Sequence, residues 1–215
     1  MRIGLVCPML SFVGGVQRHV LMLGKALAER GIEVVYFSPA PQNSPGLPTP
    51  HVQLGNAVVL PNFNGSWNDY SVTTQSKEEL AALIKQHQID ILHFHSLVVP
   101  FASWQFLEAS PVLNMATLHS GWEKDSPVES VIPVMEFLVK NLKQKLTQTI
   151  AVSQTALHCE RYFTDKNTII IPNPIDLAVY HQPTQRPADL SPDRCNLVFV
   201  GRLDKRKGFI ELLHA

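Results

Sequence analysis

Cysteine is scarce and scattered. Cys7, Cys159 and Cys195 are the three in 215 residues, and no C-x-x-C occurs. An odd, dispersed set excludes a disulfide framework and fits a reducing compartment. Net charge is absent too: 18 basic residues balance 18 acidic ones, so no global field draws the chain to nucleic acid or to an anionic surface. Nor is there an aromatic-interleaved basic stretch of the kind that binds nucleic acid. No apolar run approaches the roughly 20 residues of a membrane span, and Met1 opens into a strand-like run rather than a secretory signal. G-x-G-x-x-G and G-x-x-x-x-G-K-[ST] are both missing, which excludes the dinucleotide fingerprint and the Walker loop. These absences leave a cytoplasmic protein as the expectation.

What is present is an ordinary globular composition, 45% apolar, patterned as strands alternating with helices. Ile3–Cys7, Val34–Phe37, Ile89–Phe94, Val112–Leu118, Thr149–Val152 and Thr168–Ile171 read as short buried strands. A further strand is expected within Val52–Leu60, while Pro61–Tyr70 reads as polar turn. Val16, Val20, Leu23 and Leu27 recur at helical spacing, with Gly31 as a natural stop. Ser76-x-x-Glu79 is a capping box before Leu80, Leu83 and Ile84. Helices are also expected over 98–109, from Ser126-Pro127 to Leu146, and over 154–162. The alternation predicts an α/β fold, a parallel sheet with helices on both faces, binding ligands at the carboxyl ends of its strands. The Pro-rich stretch 173–193 reads as a linker after a first domain, 1–172. Asn196–Val200 then reads as the first strand of a second domain, 194–215, which breaks off after the start of one helix.

Two places suit an anion. Gly14-Gly15 falls between a strand and a helix start, where free amides and the helix dipole favour phosphate; a tight turn needs the same residues. Arg202 and Lys207 follow an apolar run, where a guanidinium can clasp two phosphate oxygens and an ammonium adds a point charge; a solvated basic turn fits equally. His93, His95 and His119 sit at strand ends. Three such histidines raise a metal, but no carboxylate motif accompanies them, so the expectation is no metal and a ligand contact from His119. Lys140, Lys143 and Lys145 read as the polar side of a helix, with a membrane-surface patch as the alternative.

Taken in order, Arg2-Ile3-Gly4-Leu5-Val6-Cys7-Pro8, Gly14-Gly15-Val16-Gln17-Arg18-His19-Val20, His93-Phe94-His95, Thr117-Leu118-His119, Pro172-Asn173-Pro174 and Val200-Gly201-Arg202-Leu203-Asp204-Lys205-Arg206-Lys207-Gly208 form one pattern. It resembles the retaining glycosyltransferases of family 4, on the phosphatidylinositol-mannosyltransferase-like side. The resemblance implies a GT-B fold, here its N-terminal Rossmann-like domain with the second domain truncated. It implies a hexosyltransferase moving a sugar from a nucleotide-sugar donor to a lipid or glycan acceptor with retention, without metal or other cofactor. Contact with the inner face of a membrane is part of that expectation. Gly14 and Gly15 would meet the donor, Gln17 and Arg18 the acceptor side, His119 the transferred sugar, and Arg202 and Lys207 the leaving diphosphate. Pro174 stands where the family carries glycine, and the family's Glu-x7-Glu is absent from these 215 residues. An inactive or weakly active fragment is therefore expected; a non-catalytic binding module and a GT-B sugar epimerase are the alternatives.

Overall fold

The computed structural model describes residues 1–215 apart from 12, 42, 43, 45, 62–66, 99, 100, 123–125, 182–184, 186, 188, 189, 191, 192, 202 and 204–206; of 60, 61, 67–69 and 127 only the backbone enters. Residues Met1–Pro174 form one compact unit and Ile175–Ala215 another. In chain order the first unit holds β1 (Arg2–Val6), α1 (Gly15–Ala28), β2 (Glu33–Ser38), β3 (His51–Gln53), β4 (Asn56–Pro61), β5 (Trp67–Val72), α2 (Lys77–Gln86), β6 (Ile91–His95), α3 (Ala102–Ala109), β7 (Leu113–Leu118), α4 (Ile132–Lys143), β8 (Gln148–Ala151), α5 (Gln154–Cys159) and β9 (Ile169–Ile170).

Seven of these strands make one parallel sheet in the order β3-β2-β1-β6-β7-β8-β9. Strands buried on both sides need apolar residues at consecutive positions, and β1 and β6 supply them. Alternation then sorts the side chains. Ile3, Leu5, Val34 and Tyr36 pack with Val20 of α1 on one face. Val6, Val35, Phe37, Leu92 and Phe94 pack on the other with Leu80 and Ile84 of α2 and Phe106 and Leu107 of α3. The expected α/β architecture with helices on both faces is what forms.

Local signals set several boundaries. Ser76 and Glu79 complete the capping box of α2, Ser76 Oγ accepting from the Glu79 amide at 3.2 Å and Glu79 Oε2 accepting from the Ser76 amide at 2.7 Å. Gly31 lies beyond α1 with φ +74°, the left-handed region that glycine enters without strain.

Four expectations shift. Pro61–Tyr70 is not simply turn: β5 begins at Trp67 and pairs antiparallel with β4, from Asn56↔Val72 to Pro61↔Trp67. The single strand expected in 52–60 is two, split at Gly55 (φ +70°), so β3 joins the main sheet and β4 the hairpin. The helix expected from residue 98 starts at Ala102, and the one expected from Ser126 opens as a 3-10 turn over Pro127–Val131 before α4.

The second unit contains α6 (Leu177–Tyr180) and α7 (Phe209–His214). The strand expected at Asn196–Val200 does not form, and the described residues around it supply no partner strand. A lone strand leaves its backbone donors and acceptors without a ladder. Leu197, Val198, Val200 and Leu203 are accordingly exposed.

Gly4 is a position of close approach. A methyl group there would lie 2.7 Å from Leu92 Cδ2 and 2.9 Å from Phe37 Cε2, two side chains with no solvent exposure. Overpacking of this kind costs ~1–3 kcal/mol, and β1 is central, so neither neighbour can yield toward solvent. Gly4→Ala should lower unfolding stability by about 2 kcal/mol, read from urea denaturation; an unchanged midpoint would show that the sheet flexes around the extra methyl.

Candidate active site

β1 pairs with β2 on one side and β6 on the other, so successive crossovers leave β1 in opposite directions. In such sheets the carboxyl ends at the point of reversal open a crevice where ligands bind. Three sequence segments arrive there: the loop from β1 into α1, the end of β6, and the residue following β7.

From the first segment comes Gly14, the N-cap of α1, in extended conformation and with no side chain capping the helix. Its first-turn amides therefore lack a side-chain acceptor from the N-cap. A Cβ on Gly15 would meet nothing within 4 Å. Gln17 donates from Nε2 to the Leu10 carbonyl at 2.8 Å, tying the loop to the helix, and Arg18 is exposed. One turn into the helix, His19 turns its ring inward: its centroid is 4.8 Å from that of His119 and 5.4 Å from that of His95.

The second and third segments carry the other imidazoles. His93 and His95 share the face of β6 that carries Ile91, as alternate residues must, and their rings stack at 4.4 Å. His93 Nε2 bonds Thr117 Oγ1 on β7 at 2.7 Å. His95, 1% exposed, places Nδ1 3.1 Å from Nε2 of His119. Its Nε2 has no partner among the described residues. Asn173, just past β9, sets Oδ1 2.8 Å from His19 Nδ1, so that nitrogen carries the proton and donates it. Ser96, the residue after β6, is buried at φ +64°, a backbone region costly for a residue with a Cβ.

Electrostatics follow from packing. Burial, then repulsion from neighbouring rings, pushes His119 down to about 3 and His93 to about 4; His95 falls well below its ordinary 6.5. Burial also lowers His19, opposed by its bond to Asn173. At neutral pH the cluster is uncharged. Beneath it lies Glu160, with no solvent exposure, whose Oε1 accepts from the Ser120 amide at 2.5 Å and whose Oε2 is unpartnered among the described residues. Burial raises its carboxyl to about 7, against the lowering effect of bonds from the 119–120 segment.

The structure thus brings the helix start at Gly14 and Gly15 near His119 through His19 on the same helix, while Gln17 turns to the Leu10 carbonyl and Arg18 is exposed. Sequence reading did not single out His19 or Asn173. The only signal for His19 was its place one turn after Gly15 on a helix that starts at the switch point. Lys207 belongs to the second unit, exposed in the turn before α7, and Arg202 lies outside the described residues. Lys145 does not belong with Lys140 and Lys143: its Nζ lies past the end of α4 and donates to the carbonyls of Glu108 and Ser110 at the end of α3. No described helix is long and apolar enough to cross a membrane.

A parallel sheet of this order with a polar crevice at its switch point defines a Rossmann-like ligand-binding unit. The same fold occurs in a glycosyltransferase from Rickettsia africae (TM-score 0.54, 16% identity, 89% of this chain and 46% of that one) and in sucrose-phosphate synthase from Thermosynechococcus elongatus (TM-score 0.52, 15% identity, 83% and 49%), both GT-B structures. Residues 13–179 match Glycosyltransferase Family 4, and the chain belongs to that family. It is 31% identical to the phosphatidyl-myo-inositol mannosyltransferase of Mycolicibacterium smegmatis over all of this chain and 54% of that protein. The chain spans about half the length of the curated relatives it matches.

Glu160 gives a pH-dependent signature. Its folded pKa exceeds the ordinary 4.5, so the folded state binds the extra proton between these values. Stability from this group is complete below about 4.5 and declines as pH rises through about 7. The histidines act oppositely, withdrawing stability as pH falls below 6.5. Comparison with Glu160→Gln isolates the carboxyl: from pH 5 to pH 8 the wild type should lose on the order of 2–3 kcal/mol relative to the variant in urea unfolding. Parallel pH profiles would mean that Glu160 ionises without cost.

Proposed function

We propose that the chain is the acceptor-side half, with the first part of the donor-binding half, of a retaining glycosyltransferase that moves a hexosyl group from a nucleotide-sugar to a lipid or glycan acceptor. The observation that carries this reading is the convergence of His119 with the Gly14-Gly15 helix start at the switch point of a sheet belonging to glycosyltransferase family 4. The assignment 1–172 for the first domain, 173–193 for the linker and 194–215 for the truncated second domain belongs to the same proposal.

The site residues take distinct roles. Gly14 and Gly15 bring backbone amides toward the donor, with open space over Gly15 for its approach. His119, held neutral, offers a hydrogen bond to a sugar hydroxyl without placing a cation beside the anomeric carbon, where positive charge develops. Gln17 and Arg18 face the acceptor. As the bond from the anomeric carbon to the diphosphate oxygen breaks, negative charge grows on the leaving group, and Arg202 and Lys207 neutralise it. The acceptor hydroxyl then bonds the same carbon on the same face and gives its proton to the departing diphosphate oxygen. The reaction takes no cofactor beyond the donor.

A lipid acceptor suits a second observation. α4 exposes Val134, Phe137 and Leu138, Phe137 at 79%, with Lys140 next to them. An apolar ridge flanked by ammonium groups fits the surface of an anionic bilayer. Phe137→Asp should weaken cosedimentation with anionic vesicles about tenfold, the effect of withdrawing one buried aromatic ring. Equal sedimentation of both proteins would remove α4 from any membrane contact.

The full-length parent, assayed against a panel of nucleotide-sugars, should give a product of unchanged anomeric configuration, read from its anomeric proton coupling. His119→Ala and Lys207→Ala should each lower kcat at least ~10-fold. Full turnover in both variants would dismiss the residue assignments, and the absence of product from every donor would dismiss the function.

A further inference from the structure

One ring nitrogen each of His19, His95 and His119 lies within 4.8 Å of the other two. We propose that these three histidines bind a divalent transition-metal ion of the Zn2+ class through one nitrogen each, leaving a fourth position open to water or a ligand. Zinc holds imidazole at about 2.0–2.1 Å in tetrahedral geometry, which sets neighbouring donors about 3.3 Å apart. His95 Nδ1 and His119 Nε2 already stand at 3.1 Å. The third nitrogen has to close by no more than about 1.5 Å, within reach of a partly exposed side chain on the first turns of α1.

The donors are in the right chemical state. Imidazole must be neutral to ligate, and burial keeps all three neutral at physiological pH. Donation of His19 Nδ1–H to Asn173 leaves Nε2 with its lone pair, and the carboxamide oxygen orients the ring as outer-shell acceptors do. Between His95 and His119 one proton occupies the line where the ion would sit. The ring that carries it returns to coordination by moving that proton to its other nitrogen, so three neutral rings remain and no net proton is released. His95 has otherwise only another imidazole to bond, and its second nitrogen has none. An ion supplies the interaction that the described residues leave out. An all-nitrogen set excludes Ca2+ and Mg2+, which take oxygen. His93 lies outside the cluster, which among the described residues comprises His19, His95 and His119.

The site stands on these imidazoles and not on glycosyl transfer, although it shares His119 with that reading, so an ion and a sugar would exclude each other there. Calorimetric titration of the 215-residue chain with ZnCl2 at neutral pH should show one-to-one binding. His119→Ala should abolish it. Asn173→Ala, which removes no ligand, should loosen it about tenfold. His19→Gln, at a partly buried position on α1, tests the third ligand with a side chain of similar size and should also abolish one-to-one binding. In the wild type the ring signals of His19, His95 and His119 should shift together in NMR spectra. No stoichiometric binding, or binding unchanged in His19→Gln and His119→Ala, would overturn the proposal; the second outcome would place the ion on exposed His158, His181 or His214. Because these readouts need no donor or acceptor, they succeed or fail separately from the transferase assay.

Discussion

Four imidazoles cannot share one buried crevice as cations, and most of the site's character follows from that. His19, His93, His95 and His119 lie ring against ring at the carboxyl ends of β1, β6 and β7. Charging any one costs its hydration and meets the others at about 5 Å, where low local polarity strengthens repulsion. Each ring is therefore held as a neutral donor–acceptor against a set partner: Thr117 for His93, Asn173 for His19, and one another for His95 and His119; the Asn173 oxygen, which can only accept, also sets the tautomer of His19. A neutral polar pocket recognises hydroxyl groups, or a metal ion, by hydrogen bond or lone pair, and repels neither anion nor cation by net charge.

Glu160 extends the same constraint downward. A carboxyl buried without a basic partner keeps its proton near neutrality, and its oxygen holds the Ser120 amide that follows His119. The backbone carrying His119 thus hangs on a group whose ionisation is opposed by burial, while the ring above it is opposed to protonation. Acid disturbs the cluster and base disturbs its support, so the crevice is most secure between these limits. Ser96, strained at the end of β6, adds a third element held in place by its surroundings.

Much of this could be read from sequence where one physical signal was sufficient. Apolar runs of strand length located the buried strands, and Ser76 with Glu79 located the start of α2, because each reports a local requirement. The hairpin β4–β5 escaped because β5 (Trp67–Val72) carries polar residues, and its pairing with β4 depends on register across the chain rather than on pattern within either segment. Asn196–Val200 failed in the opposite sense: its apolar pattern is a strand's, but a strand exists only through neighbours, and none is present among the described residues. For the site, Gly14, Gly15 and His119 were legible from their positions after strands. His19 was not, since a histidine on an amphipathic helix looks the same whether it meets solvent or three other rings.

The first unit handles charge by excluding it. Arg18 on α1 is exposed, and the imidazoles that face inward are neutral. A diphosphate needs more than backbone amides, because each developing negative charge must be matched where water is removed. On the proposed reading cations for that purpose belong to the second unit, where Lys207 is exposed. A cation fixed beside the imidazoles would oppose the positive charge that the proposed transfer develops on the anomeric carbon. The crevice is thus bare of charge, while His95 Nε2 keeps no hydrogen-bond partner among the described residues.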